Sequence, residues 1–385
     1  MRNVPQLRFA GFEGEWEERN IKELSNKVTG GGTPSTKIEE YWNGNIPWIQ
    51  TSDINDDYIK IKKYNKYISS EAIDNSAAKL INSNSISIVT RVGVGKVVKV
   101  DHELATSQDF TNLSELNSEI TFTTYLLKKT MEKLSFILQG TSIKGITQKE
   151  LLLTNIKLPI SNVEQDKIGD LFKKIDALIE KQEGKVSKME DFKKSMLQKM
   201  FPKKGELVPE FRFDGFDGEW EKKKISDIGK ISAGGDVDKK KISNKGRYPV
   251  IANGDSNNGI IGYYEDHYKI SEPAVTISAR GNIGTAVARN YPFTPVIRVL
   301  TLTSDNNIYF MSEAINRLRI FNESSGVPQL TSPQFGGYNI FMTKLSEQQK
   351  IGQFFKNLDI QIETEEKLLE SYKQMKKSLL QKMFV

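Results

Sequence analysis

The 385 residues contain no cysteine and only two histidines, His102 and His267. The first absence excludes a disulfide framework, a thiol nucleophile and a zinc site built on thiolates. The second excludes any metal site of two histidines unless the fold joins two distant segments. Each histidine stands beside an aspartate, Asp101 or Asp266, as an ordinary turn residue would. Arginine is scarce too, 11 of the 55 basic residues, so few side chains can grip guanine with two hydrogen bonds. Acids number 49, and the resulting net charge of +6 permits an anionic partner without proving one. No apolar run is long enough to span a membrane, and the opening Met1 to Gln6 lacks the apolar core of a secretory signal. The expectation is a soluble cytoplasmic protein with no membrane partner, long enough for two to three domains.

What is present is a repeat. Val4-Pro5-Gln6-Leu7-Arg8-Phe9-Ala10-Gly11-Phe12-Glu13-Gly14-Glu15-Trp16-Glu17 returns, without gaps and 204 residues later, as Val208-Pro209-Glu210-Phe211-Arg212-Phe213-Asp214-Gly215-Phe216-Asp217-Gly218-Glu219-Trp220-Glu221. Ten of these 14 positions are identical. Glu164-Gln165-Asp166-Lys167-Ile168-Gly169 returns at an offset of 183 as Glu347-Gln348-Gln349-Lys350-Ile351-Gly352, and that register holds to Leu380-Gln381-Lys382-Met383-Phe384, the copy of Leu197-Gln198-Lys199-Met200-Phe201. Between them, Ile86-Ser87-Ile88-Val89-Thr90-Arg91 resembles Val275-Thr276-Ile277-Ser278-Ala279-Arg280 at an offset of 189. The falling offsets describe one duplicated unit whose second copy has lost loop residues. The period is far too long for a solenoid.

Each copy reads as a variable globular body followed by a constant helix. From Glu164 to Met200 apolar residues recur every three or four positions, and no proline interrupts them. Ile168, Leu171, Ile175, Leu178 and Met189 in the first helix, and Ile351, Phe354, Leu358, Ile362 and Tyr372 in the second, are the expected packing residues. Ser161 and Ser346 occupy expected N-cap positions, each followed three residues on by Glu164 or Gln349. Gly184 is the one weak point and a possible bend. A helix of about 37 residues is roughly 55 Å long and needs a partner for its stripe, most simply the other copy. The bodies read as mixed strands and short helices. Hairpins are expected around Arg91-Val92-Gly93-Val94-Gly95 and Arg280-Gly281-Asn282-Ile283-Gly284.

Catalytic motifs are missing. Gly93-Val94-Gly95-Lys96 lacks the spacing of a phosphate loop, and Gly140-Thr141-Ser142-Ile143-Lys144-Gly145 is followed by Ile146 where the lysine belongs. No Asn/Asp-Pro-Pro-Tyr/Phe segment of an amino-methyltransferase occurs. The acid pairs on the helices, Glu190-Asp191 and Glu365-Glu366, read as solvated faces. Binding chemistry remains. Arg91 and Arg280 occupy equivalent hairpin tips, and Lys239-Lys240-Lys241 could meet phosphates.

Gly30-Gly31-Gly32-Thr33-Pro34-Ser35-Thr36, Tyr41-Trp42-Asn43-Gly44-Asn45-Ile46-Pro47-Trp48-Ile49, Ser52-Asp53-Ile54, Ala105-Thr106-Ser107-Gln108 and the two Glu-Gln-x-Lys-Ile helix entries resemble the DNA-specificity subunits of type I restriction–modification enzymes. In the second body Tyr248-Pro249-Val250, Gly259-Ile260-Ile261-Gly262-Tyr263-Tyr264 and Ala279-Arg280-Gly281-x-Ile283-Gly284 fit as well. The resemblance implies an α+β fold: two target-recognition domains of mixed strands and short helices, joined by two long antiparallel coiled-coil helices in a pseudo-two-fold duplication. Mapped here, it implies recognition domains at 1–158 and 205–343 and spacer helices at 161–201 and 346–385. It further implies a non-catalytic chain. Each domain would read one half of a bipartite asymmetric site on double-stranded DNA and direct adenine methylation and restriction by two methyltransferase subunits and nuclease–translocase subunits. S-adenosylmethionine, ATP and Mg would bind those partners, and no cofactor or metal this chain.

Because the two bodies differ, base-reading residues cannot be carried over one by one. The candidate DNA-contacting set is Thr33, Ser35, Thr36, Ser52, Arg91, Lys96, Gln108, Lys144, Lys239, Lys240, Lys241, Asn253, Arg280 and Asn282. The rod-like helices would hold half-site centres about one DNA turn, roughly 10 bp, apart. A coiled-coil interaction scaffold without DNA contact and an enzyme acting alone on nucleic acid are the two rival readings. The DNA sequence itself is not legible, since loop geometry, water and DNA shape all enter readout.

Overall fold

A computed structural model describes residues 3–139, 145–254, 256–320 and 329–385. The chain divides into two compact units, residues 1–183 with 368–385 and residues 184–367. The first unit is built from two separate stretches of chain, and the second from one.

The first unit runs β1 (Glu17–Asn20), β2 (Ser25–Gly30), β3 (Ile46–Ile49), β4 (Lys66–Ile68), α1 (Ser70–Asn75), β5 (Leu80–Ile81), β6 (Ser85–Val89), β7 (Val97–Val100), β8 (Leu104–Thr106), β9 (Phe110–Leu116), α2 (Ile120–Gln139), α3 (Gln148–Leu152), β10 (Asn155–Leu158) and the first half of α4 (Asn162–Lys199). The sheet β2-β9-β6-β7 is antiparallel throughout, and a smaller sheet, β4-β3-β8-β5, pairs β3 and β8 in parallel. Strand β6 shows why side-chain alternation matters here. Ile86 and Ile88 enter a core with Phe122 and Leu127 of α2 and Ile168 and Phe172 of α4. On the opposite face Val89 joins Val98, Val100 and Ile49 in a second core between the sheets. Both faces of β6 are buried, so its serines must find partners. Ser87 donates to Asn112 Oδ1 (2.6 Å), and Asn112 Nδ2 donates to Thr106 Oγ1 (3.1 Å).

The second unit repeats this plan with β11 (Glu221–Lys224), α5 (Ile225–Ile228), β12 (Lys230–Ala233), β13 (Tyr248–Ile251), β14 (Ile260–Tyr264), β15 (Ala274–Ser278), β16 (Ala286–Arg289), β17 (Thr294–Pro295), β18 (Val299–Thr303), α6 (Ile308–Asn316), α7 (Ser332–Gly336), β19 (Asn339–Met342) and the part of α8 (Leu345–Met383) before Leu368, whose remainder belongs to the first unit. Its larger sheet is β12-β18-β15-β16, and its smaller one, β14-β13-β17, again has a parallel pair. The expected hairpins are β6–β7 and β15–β16, both antiparallel. Where β7 buries Val100, β16 buries Arg289, whose guanidinium donates to Thr276 Oγ1 (3.2 Å), Tyr291 Oη (3.1 Å) and the Asn258 carbonyl (2.6 Å).

The repeated blocks have matching structural work. Trp16 lies edge-on to Phe122 and Phe384, and Trp220 packs on Phe310 and Phe201. Thus the end of α8 completes the core around Trp16, and the end of α4 completes the core around Trp220. Arg8 clamps Glu164 with two hydrogen bonds (2.7 and 2.8 Å), and Arg212 does the same to Glu347 (2.6 and 2.8 Å). Both carboxylates are fully buried. This corrects the capping expectation. The Glu164 carboxylate serves Arg8 rather than a capping box at Ser161. Helix α8 starts at Leu345, so Ser346 lies inside its first turn, and Lys344 offers the first carbonyl.

The two long helices run antiparallel in each unit. Lys376 pairs with Asp176 (2.7 Å) and Lys373 with Glu183 (3.1 Å) in the first, and Lys185 pairs with Glu365 (2.7 Å) and Lys193 with Asp359 (2.6 Å) in the second. Of the expected packing residues, Ile168, Ile175, Ile351, Leu358 and Ile362 are buried. Leu171, Met189, Phe354 and Tyr372 are half-buried, and Leu178 is 45 % exposed. Much of the stripe therefore closes on the globular bodies, not only on the other helix. Helix α4 continues through Gly184.

Candidate nucleic-acid interface

In the first unit the candidate residues gather where β6–β7, β8–β9 and β3 end. Arg91 stands exposed at the β6–β7 tip, with Gly93 (φ +82°) supplying the left-handed backbone that the turn needs. Lys96, just beyond, is committed inward. Its ammonium donates to the Ile54 carbonyl (3.0 Å), which fixes the loop after β3 rather than reaching outward. Thr90 N–H donates to the Asp109 carbonyl (2.8 Å), tying the Arg91 tip to the β8–β9 turn that carries exposed Gln108. Gln108 in turn accepts from the Thr33 hydroxyl. Ser52 is exposed beside Gln50, which donates to its hydroxyl (3.1 Å).

Thr33, Gln108, Arg91 and the loop holding Ser52 thus share one edge. The glycine run before Thr33 makes this possible. A Cβ on Gly31 would sit 2.0 Å from the Ser107 carbonyl oxygen, so only glycine lets the strand approach the turn. Ser35 and Thr36 are exposed in the following loop, where the Ser35 carbonyl accepts from the Trp42 indole (3.2 Å). Lys144 and the Gly140–Lys144 stretch lie outside the described residues.

The second unit builds the same edge with other residues. Ala279 N–H is shared between the Asn253 side-chain oxygen (3.1 Å) and the Arg298 carbonyl (3.1 Å), so Asn253, Arg280 and the β17–β18 turn converge. Arg280 and Asn282 are exposed at the tip, and the Asn282 carbonyl accepts from the Thr285 hydroxyl (3.0 Å). Lys239, Lys240 and Lys241 form an exposed single turn capped by Asp238. They are tied to β14, where the Tyr264 hydroxyl donates to the Asp238 carbonyl (3.3 Å).

The sequence reading passed over Ile297 and Arg298. Their signal was present in the constant offset of 189 from Ile86 to Phe110, which aligns them with Gln108 and Asp109.

Among the described residues no group of three or more His, Asp or Glu side chains is placed to hold a metal ion. The first unit also has a cleft of about 460 Å³ between α2, the loop at Asp56–Tyr58 and the end of α8. Burial and the neighbouring Lys133 push the Lys129 ammonium down to about 8 there. That ammonium donates to the Phe384 carbonyl (2.7 Å), which fastens the end of α8 to α2.

A duplicated frame with different side chains at equivalent edges defines a two-module recognition protein. The type I restriction modification DNA specificity domain matches residues 13–190 and again 217–374, and the chain belongs to that family. It is 32 % identical over 244 residues to the type I restriction enzyme MjaIX specificity subunit of Methanocaldococcus jannaschii, covering 59 % of this chain and 55 % of that one. It is 33 % identical over 179 residues to the EcoR124I/EcoR124II specificity subunit of Escherichia coli, covering 43 % and 42 %. The chain thus spans about half the length of the curated relatives it matches. Its fold is similar to the crystal structure of the type I restriction-modification S subunit from M. genitalium, with TM-score 0.73, 18 % identity and 99 % of both chains covered. A chain from a structural study of type I system assembly matches with TM-score 0.54 over 96 % of this chain and 97 % of that one, at 15 % identity.

Proposed function

We propose that this chain is the specificity subunit of a type I restriction–modification complex. Each body reads one half of a bipartite, asymmetric site on double-stranded DNA. Two methyltransferase subunits then methylate adenine in the selected sequence, and nuclease–translocase subunits restrict unmodified DNA. S-adenosylmethionine, ATP and Mg belong to those partners in this reading, and this chain supplies selection without bond chemistry.

The observation that carries it is the repetition of one recognition frame with unlike exposed edges. The edge of the first body offers Thr33, Gln108 and Arg91, and that of the second offers Asn253, Arg280 and Asn282. A protein that reads two different half-sites needs a common frame to present both readers and different side chains to distinguish them. Arginine, glutamine and asparagine are side chains whose geometry suits purine edges in the major groove.

The test is to map methylated adenines in DNA treated with this chain and its methyltransferase partner. A split motif with two fixed halves is expected. Exchanging residues 20–155 for another body should change one half alone, and removing one helical turn from α4 should shift or abolish the preferred spacing. The same complex should lose DNA affinity steeply with salt, because phosphate contacts release counterions. A salt-insensitive complex with no motif would support the scaffold reading instead.

A further inference from the structure

The β17–β18 turn carries an arginine where the backbone favours glycine. Val299 N–H donates to the Val296 carbonyl (3.1 Å), closing a turn over 296–299, and its third residue, Arg298, has φ +72°. Left-handed backbone at that position is ordinarily filled by glycine, because a Cβ is strained there. Strain of this kind persists where the surroundings impose it, and it gathers at functional sites. Here the turn is held from behind. Gly234 N–H donates to the Val299 carbonyl (2.7 Å), Gly235 bridges to Val296, and the Arg298 carbonyl accepts from Ala279. The two central side chains point outward, Ile297 at 55 % exposure and Arg298 exposed beside the Arg280 tip. No side-chain hydrogen bond or ion pair engages Arg280 or Arg298 among the described residues.

The matching turn of the first body is built oppositely. Phe110 N–H closes it on the Ser107 carbonyl (3.3 Å), and Asp109 has no left-handed backbone. Both of its central side chains are occupied, Gln108 by Thr33 and Asp109 by the Ser107 hydroxyl (3.2 Å).

From this juxtaposition we infer that the Ile297–Arg298 turn is a specificity determinant of the second body, with Arg298 donating two hydrogen bonds to O6 and N7 of a guanine in its half-site. The inference rests on the proposed function and adds a residue and a base to it. A lysine would serve a phosphate as well as an arginine does, and the chain is rich in lysine. The planar fork of guanidinium presents its two donors to O6 and N7 in a fixed geometry, which the flexible lysine stem does not preset. Arg280 next to it supplies a second cation to the same edge, and Ile297 can offer only apolar contact, such as a thymine methyl accepts.

The experiment compares wild type, Arg298→Gly and Arg298→Lys, each assembled with the methyltransferase partner, by sequencing methylated sites from a randomised DNA library. The half belonging to the second body is the one that stays fixed when residues 20–155 are exchanged. Wild type should show a fixed guanine in that half. Both variants should lose discrimination at that one position by about 5- to 150-fold, with the other half unchanged. Arg298→Gly should melt no lower than wild type, because glycine relieves the backbone, and this separates a reading role from a folding role. The inference is overturned if wild type has no guanine in that half, if the guanine stays fixed in Arg298→Gly, or if binding weakens uniformly with the motif intact, the signature of a phosphate contact. A wild-type complex without any sequence preference would sink the specificity-subunit reading itself, a distinct result.

Discussion

The two bodies share a frame down to single hydrogen bonds, yet they treat the long helices differently. Ser107 N–H donates to the Ile49 carbonyl (2.9 Å) just as Val296 N–H donates to that of Ile251 (2.8 Å), and the Arg8–Glu164 clamp is repeated by Arg212–Glu347. The first body has more chain between β3 and β6 than the second has between β13 and β15, and it uses part of it as a strap. Tyr58 donates its hydroxyl to Glu183, Lys62 pairs with Glu183 (2.8 Å) and Lys60 with Glu180 (2.6 Å), all on α4. Lys376 of α8 donates to the Asp57 carbonyl (3.1 Å) from the other side. In the second unit the corresponding helix contact comes from α6, where Lys193 bridges Glu313 (2.8 Å) and Asp359 (2.6 Å). The framework tolerates such differences because the residues that close each core, Trp16 with Phe384 and Trp220 with Phe201, are the repeated ones. Insertions fall between them.

The comparison can be broken hardest at the shared parts. Phe384→Ala and Phe201→Ala should each cost about 3–5 kcal/mol, each in the unit whose tryptophan it supports. Hydrogen exchange that localises the loss elsewhere would refute the assignment. Arg8→Ala and Arg212→Ala strand a buried carboxylate and should each cost about 3–5 kcal/mol in denaturant unfolding. A marked inequality would mean the clamps are not equivalent.

The edges should behave as separate readers. Arg91→Ala and Arg280→Ala should each lose about 1–3 kcal/mol of binding or discrimination, and each in one half-site only. Methylation patterns identical to wild type would make these arginines idle.

The smallest effect belongs to the strap. Burial alone would raise the Glu183 carboxyl, but hydrogen bonds from Lys62, Tyr58 and Lys373 prevail and hold it at about 2, below its ordinary 4.5. A depressed carboxyl stabilises the fold at every pH above its unfolded value. That contribution should therefore fade as pH drops from about 4.5 through about 2. Glu183→Gln should lower stability at neutral pH by about 1–2 kcal/mol and flatten that acid limb, measured by thermal melts across the window. An unchanged acid limb would show that the strap contributes nothing.

Local pattern carried the duplication, the paired long helices, both hairpins and the placement of Arg91 and Arg280 at their tips. Period and offset depend only on neighbours along the chain, and they were legible. Glu164 misled, because an acid three residues after a serine looks like a cap. Its true partner, Arg8, is far away in sequence, and only folding brings the two together. Lys96 reads as a free cation until the loop after β3 is seen to take its ammonium. The repeat offset aligns Arg298 with Asp109, but its backbone conformation is silent in the sequence, because a left-handed φ leaves no mark on residue type when the residue is not glycine.

The sequence by itself determined that one unit was copied and that each copy ends in an amphipathic helix, since repetition and periodicity are properties of the string. The tertiary structure alone decided which core each helix end completes. Met200-Phe201 and Met383-Phe384 are equally apolar wherever they dock, and only the antiparallel course of α4 and α8 carries each one away from the body that precedes it and into the other's core. The same holds at the edges: exposure and the meeting of three loops, rather than residue type, separate an exposed arginine such as Arg280 from one such as Arg289 that is spent on holding the fold.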